Sequence, residues 1–156
     1  MAMHTWFECK IRYEKVMENG MQKKVTEPYL VDALSFTEAE ARIIEEMTPF
    51  ISGEFTVSDI KRANYSELFP SDEESADRWF KCKLIFITLD EKSGAEKKTS
   101  TQVLVQAADL RDAVKKLDEG MKGTMADYQI GMVSETPLMD VYPYSAGPND
   151  KPEFDP

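Results

Sequence analysis

The chain repeats itself. Trp6-Phe7-Glu8-Cys9-Lys10 returns as Trp79-Phe80-Lys81-Cys82-Lys83, 73 positions later. Lys23-Lys24-Val25-Thr26 returns as Lys97-Lys98-Thr99-Ser100, and Tyr29-Leu30-Val31-Asp32-Ala33 as Val103-Leu104-Val105-Gln106-Ala107. Glu67-Leu68-Phe69-Pro70 returns as Asp140-Val141-Tyr142-Pro143. Four matched blocks in one order mark a tandem duplication, and two copies of a small unit build an extended surface more readily than a single catalytic pocket.

Within the unit, Phe7, Cys9, Ile11 and Tyr13 alternate with Trp6, Glu8, Lys10, Arg12 and Glu14, the period of a half-buried strand. Asn19-Gly20 supplies a tight turn, and Ser93-Gly94 takes its place in the second copy. A second strand over residues 22–33 follows. Ser35 with Glu38, and Asp109 with Asp112, then open a helix by the capping-box pattern. The helical stripe Phe36, Ala39, Ile43, Met47 reappears as Leu110, Ala113, Leu117, Met121. A third strand over 55–62 or 128–134 and a short extended piece complete each copy.

The fold expected is therefore α+β, with tandem β-β-α-β(β) units fused by pseudo-twofold symmetry into one compact body, since one helix cannot cover both faces of such a sheet. The first repeat spans residues 5–70, an acidic linker 71–77, and the second repeat 78–144. A tail over 145–156, rich in Pro and Gly and poor in apolar residues, is expected to be disordered.

Catalysis finds little support in the residues. The sole histidine, His4, lies beside the first residues, and there is no Cys-x-x-Cys, no His-x-x-x-His and no glycine-rich loop between a strand and a helix. Asp32 is the nearest approach to an inward carboxylate, yet its counterpart is Gln106. No catalytic residue, metal or cofactor is assigned, and the protein reads as non-enzymatic. Cys9 and Cys82 hold matched strand positions and read as small buried hydrophobes, which points to a reduced, cytoplasmic protein. The first five residues lack a signal-peptide pattern, and no apolar run approaches the roughly 20 residues of a membrane span.

A net charge of −10 argues against attraction of the whole molecule to nucleic acid, but the charges separate along the chain. The outer strand faces carry Trp6, Lys10, Arg12 and Lys24 in one copy, and Trp79, Lys81, Lys83 and Lys98 in the other. Aromatic rings among cations on a sheet are what single-stranded DNA or RNA uses: bases stack on the rings and phosphates meet the cations. The competing reading is a protein–protein or homodimer contact, because Leu30, Ile85, Ile87 and Leu104 also point outward. The acidic tail, with Phe154 between Glu153 and Asp155, is similar to the acidic tips through which single-stranded DNA-binding proteins recruit protein partners.

The paired Trp-Phe-x-Cys-Lys blocks and the Glu-Ala helix opening (Glu38-Ala39, echoed by Asp112-Ala113) resemble, across residues 5–144, an uncharacterised family of small proteins from anaerobic gut bacteria and their phages. The resemblance implies an accessory role in a mobile element or in housekeeping, and carries over no activity and no site residue.

Overall fold

The computed structural model describes residues 5–124 and 127–143. His4 and the tail residues Glu153, Phe154 and Asp155 lie outside the described residues. The order of elements is β1 (Trp6–Val16), β2 (Gln22–Asp32), α1 (Phe36–Met47), β3 (Phe55–Ala63), β4 (Glu67–Phe69), β5 (Arg78–Leu89), β6 (Glu96–Ala107), α2 (Leu110–Gly120), β7 (Tyr128–Glu135) and β8 (Asp140–Tyr142). The class is α+β, mostly strand.

The elements start where the local chemistry dictates. Gly20 and Gly94 sit at φ 81° and 72° in the two hairpin turns, a region that a Cβ disfavours. Ser35 Oγ accepts the Glu38 N–H at 3.1 Å, and Glu38 Oε1 accepts the Leu34 N–H at 2.8 Å, a reciprocal box. Asp109 and Asp112 repeat it, with the Asp112 and Ala108 N–H groups donating at 2.8 and 2.9 Å.

Two four-stranded sheets result, ordered β3-β1-β2-β8 and β7-β5-β6-β4. In each, the long central hairpin is antiparallel and the three-residue strand adds in parallel at the edge. The third strand carries a register shift opposite Lys10/Ile11 in the first sheet and opposite Lys83/Leu84 in the second, again 73 residues apart. Each helix covers one face of one sheet. In the first, Phe7, Cys9, Ile11, Val31 and Ala33 bury against Ala39, Ile43 and Met47. In the second, Phe80, Cys82, Leu84, Val103, Val105 and Ala107 bury against Ala113 and Leu117. The first member of the expected helical stripe departs from it, since Phe36 and Leu110 are exposed. The Phe36 ring still meets the Phe7 ring edge-on, and the Arg62 guanidinium lies about 5.5 Å over both rings.

The chain divides into two compact units. One unit takes the described residues through Ala63 together with those from Met139, and the other takes Asn64–Leu138. The short last strand of each repeat thus completes the sheet formed by the other repeat. Chain length explains this for β4. In the first sheet, Ala63, Trp6 and Asp32 are level, and the edge slot that β8 fills begins beside Tyr29. From Ala63 that slot is about three strand spacings across and three residues back, roughly 17 Å, through two strands. The link of Asn64, Tyr65 and Ser66 spans about 14 Å at full extension. β4 therefore cannot reach that slot, and pairs with β6 instead. Each helix holds down the segment after a short strand. Arg42 donates to the carbonyls of Asp32 and Pro143, and Lys116 Nζ to Ser71 Oγ at 3.2 Å and Glu73 Oε1 at 2.7 Å.

Candidate functional site

Strand alternation leaves each sheet a second face, away from its helix. The eight strand residues singled out in the sequence all belong to these faces, four to each unit. Their indoles, however, are not available for stacking. Trp6 is 6 % exposed and Trp79 is 5 % exposed, each at the end of its sheet beside Asp32 or Gln106. Leu30 and Leu104, on the same faces, are fully buried, while Ile85 and Ile87 are half-buried. Asp32, buried, accepts the Thr5 N–H at 3.2 Å, and Gln106 accepts the Ser71 N–H at 2.9 Å, so both hold backbone.

The cations of the two faces stand in different surroundings. In the first unit, Lys61 is opposite Glu8, Asp59 opposite Lys10, and Lys24 opposite Glu14, with Arg12 between Thr26 and Thr56. Four cations there meet three acids. In the second unit the same positions hold Lys81 beside Leu104 and Ser134, Lys83 beside Gln102 and Met132, Ile85 beside Ser100 and Gln129, and Ile87 beside Lys98. Three cations have no acid directly opposite them; Glu96 stands opposite Leu89 at the far end, and Asp127, whose carbonyl accepts the Ile87 N–H at 3.3 Å, lies level with Ile87 beyond the end of β7. Lys83 and Lys98 are exposed, Met132 is 40 % and Leu89 69 % exposed, and Lys81 is half-covered. Gly131 forms the irregularity in β7, and a Cβ there would stand 2.9 Å from Ile85 Cδ1, so its absence lets Ile85 lie over the strand.

Leu89 and Met132 are the functional candidates that reading for similarity passes over, and they join Ile85 and Ile87 of the competing reading. Differences between the copies carry the signal: Glu8, Glu14 and Asp59 become Lys81, Ile87 and Met132, which removes those three acids from the second face.

Other chemistry-bearing groups are accounted for within the fold. Burial, with the charges of Glu8 and Asp59 adding to it, pushes the Cys9 thiol up to about 12, and burial pushes Cys82 up to about 11; both stay protonated and free. Tyr13 and Tyr29 donate to Glu27 Oε1 at 2.8 and 3.3 Å, and Tyr13 is pushed up to about 12 by burial and that bond. Their counterparts are Phe86 and Val103. Among the described residues, no group of three His, Cys, Asp or Glu side chains is placed to hold a metal ion. Nor, among them, is any helix long and apolar enough to cross a membrane.

A family model described as Domain of unknown function (DUF4494) matches residues 5–144. No curated protein and no solved structure matches the chain.

Proposed function

The chain belongs to that family of unknown function, whose name carries no activity, and from its geometry we propose a non-enzymatic protein-interaction module acting through the open sheet face of Asn64–Leu138. The observation that carries this is that Lys83 and Lys98 have no acid directly opposite them and lie beside Ile85, Ile87 and Met132 on one face. Lysines with no acid opposite keep their charge uncompensated, and aliphatic side chains between them supply the area that a partner protein desolvates. The acidic tail at Glu153, Phe154 and Asp155 is a second protein contact under this reading.

The acid-free cations also favour a second reading, single-stranded nucleic acid on the same face, with Lys10, Arg12 and Lys24 compensated and contributing little. Phosphate contact by Lys81, Lys83 and Lys98 alone gives a salt slope near −2. Burial of both indoles removes the stacking that ordinarily accompanies such contacts, and this ranks the protein reading first. We further infer that the two units arose by tandem duplication, supported by caps, turns and strand irregularities recurring at 73 or 74 residues.

A photo-crosslinking residue at Ile87, with a matched one at Glu14 as control, tests the reading in cells that natively make the protein. A discrete polypeptide adduct from Ile87 and none from Glu14 supports it. Adducts confined to nucleic acid, or equal adducts from both sites, refute it.

A further inference from the structure

The second unit has a strand edge that its own chain leaves open. β4 pairs with β6 only at Val103–Val105, and the Ser66 N–H donates to the Gln102 carbonyl at 2.8 Å. Beyond that bond, no strand among the described residues borders Glu96–Thr101 on that side. Backbone groups alternate in direction along a strand, so the Gln102 carbonyl fixes which groups face outward: the N–H and C=O of Lys98 and Ser100. An exposed row of this kind is a template for another strand.

The equivalent edge of the first unit, residues 22–27, is likewise bordered by no strand among the described residues, and differs at its head. Its counterpart of Gln102 is Pro28, whose carbonyl likewise accepts the Met139 N–H, at 2.9 Å. Proline has no N–H to offer there and is a usual means of blunting an edge. The first edge thus lacks one N–H at its head, whereas the second keeps that N–H at Gln102 and continues into the run Lys97-Lys98-Thr99-Ser100-Thr101, exposed except for a partly covered Thr101.

We propose that an extended acidic peptide segment of a partner protein adds as a strand to β6 along Glu96–Thr101. This rests on the protein-interaction reading and names the partner's chemistry. Lys98 lies on the open face and Lys97 on the opposite one, so an added strand presenting acids on both of its faces meets a cation on each. Lys83, across from Gln102, extends the positive row. A second copy of this chain pairing in parallel and in register along the same strand would bring the two lysine pairs together, which disfavours that mode of self-association.

The test uses the full chain and a fluorescein-labelled eight-residue peptide repeating Glu-Glu-Val-Val (the Glu-Val peptide), whose acids fall on both faces of a strand, followed by anisotropy at low salt. Peptides repeating Lys-Lys-Val-Val and Glu-Glu-Pro-Pro (the Glu-Pro peptide) serve as controls. The proposal expects binding of the Glu-Val peptide only, with slowed amide exchange at Lys98 and Ser100. Ser100→Pro, which removes an outward N–H, is expected to weaken binding about tenfold or more, as is the Lys97→Glu/Lys98→Glu pair, which leaves the backbone intact. Circular dichroism verifies that each variant is folded. Equal binding of the Glu-Pro peptide, or binding that survives both changes and is lost with Lys83→Glu, overturns strand addition and leaves the open-face reading standing. No peptide binding, with polypeptide adducts still forming from Ile87, overturns it in the same way. No peptide binding and no such adducts sink both, and competition by single-stranded oligonucleotide assigns the cations to nucleic acid.

Discussion

Replacing Trp79 with alanine separates a core indole from a stacking platform. At 5 % exposure the side chain has withdrawn nearly its whole surface from water, and a tryptophan buries up to about 250 Å². Alanine retains a minor part of that, so at about 25 cal/mol per Å² the transfer loss alone is roughly 4 kcal/mol. Large-to-alanine changes at buried aromatic sites cost about 3–5 kcal/mol, in agreement. The Trp79 carbonyl keeps its bonds from the Thr136 N–H and Oγ1, at 2.8 and 2.9 Å, so the backbone tie survives and the loss is one of packing. With an m-value of about 2 kcal/mol per molar urea, the unfolding midpoint falls by about 2 M. Far-UV circular dichroism follows both units, and the fluorescence of the remaining Trp6 follows the first. If the units unfold separately, the ellipticity shifts and the Trp6 signal lags. A stability change below about 0.5 kcal/mol, with single-strand affinity falling by the 1–3 kcal/mol of a lost stacking platform, would refute the reasoning and restore the indole to the binding face.

Three further outcomes are expected. Cys9 and Cys82, held protonated by burial, react with iodoacetamide in the native protein far more slowly than in urea; equal rates would contradict their placement. The Asp112 carboxyl lies below its ordinary value because the Ala108 N–H, and then Lys116, bond its charged form. A depressed folded value stabilises above the ordinary carboxylate range near 3.9 and is lost as pH falls through it, so the start of α2 is expected to fray on acidification below about pH 4; carboxyl NMR showing an undisplaced titration would contradict this. Gly120→Ala places a Cβ 2.8 Å from the Phe69 ring on β4, so the loss, about 1–3 kcal/mol, outweighs the roughly 1 kcal/mol gain in helix propensity; a raised melting temperature would mean the ring gives way freely.

Strands, helices and turns were legible because each rests on local chemistry. Period two in residues 6–13, the Ser35 and Asp109 caps and the two glycine turns reappear where the residues place them. The helical stripe was legible except at its first position, where Phe36 and Leu110 reach past the sheet instead of over it. The candidate face was half legible. The cations lie on the outer faces as strand alternation requires, yet alternation says which side of a sheet a residue is on and nothing about what covers that side. Whether Trp6 and Trp79 were platforms or core lay beyond it.

By itself, the sequence determined the two like sets of elements, the inward face of each strand and the placement of basic residues on the outward faces, because hydrophobic periodicity and capping act over a few residues. Only the tertiary structure decided that each short strand completes the sheet of the other repeat, that the indoles are buried, and that β6 keeps an open edge along Glu96–Thr101. These depend on which distant segments meet, and chain reach and burial settle that: three residues between β3 and β4 are too few to carry the strand back across its own sheet.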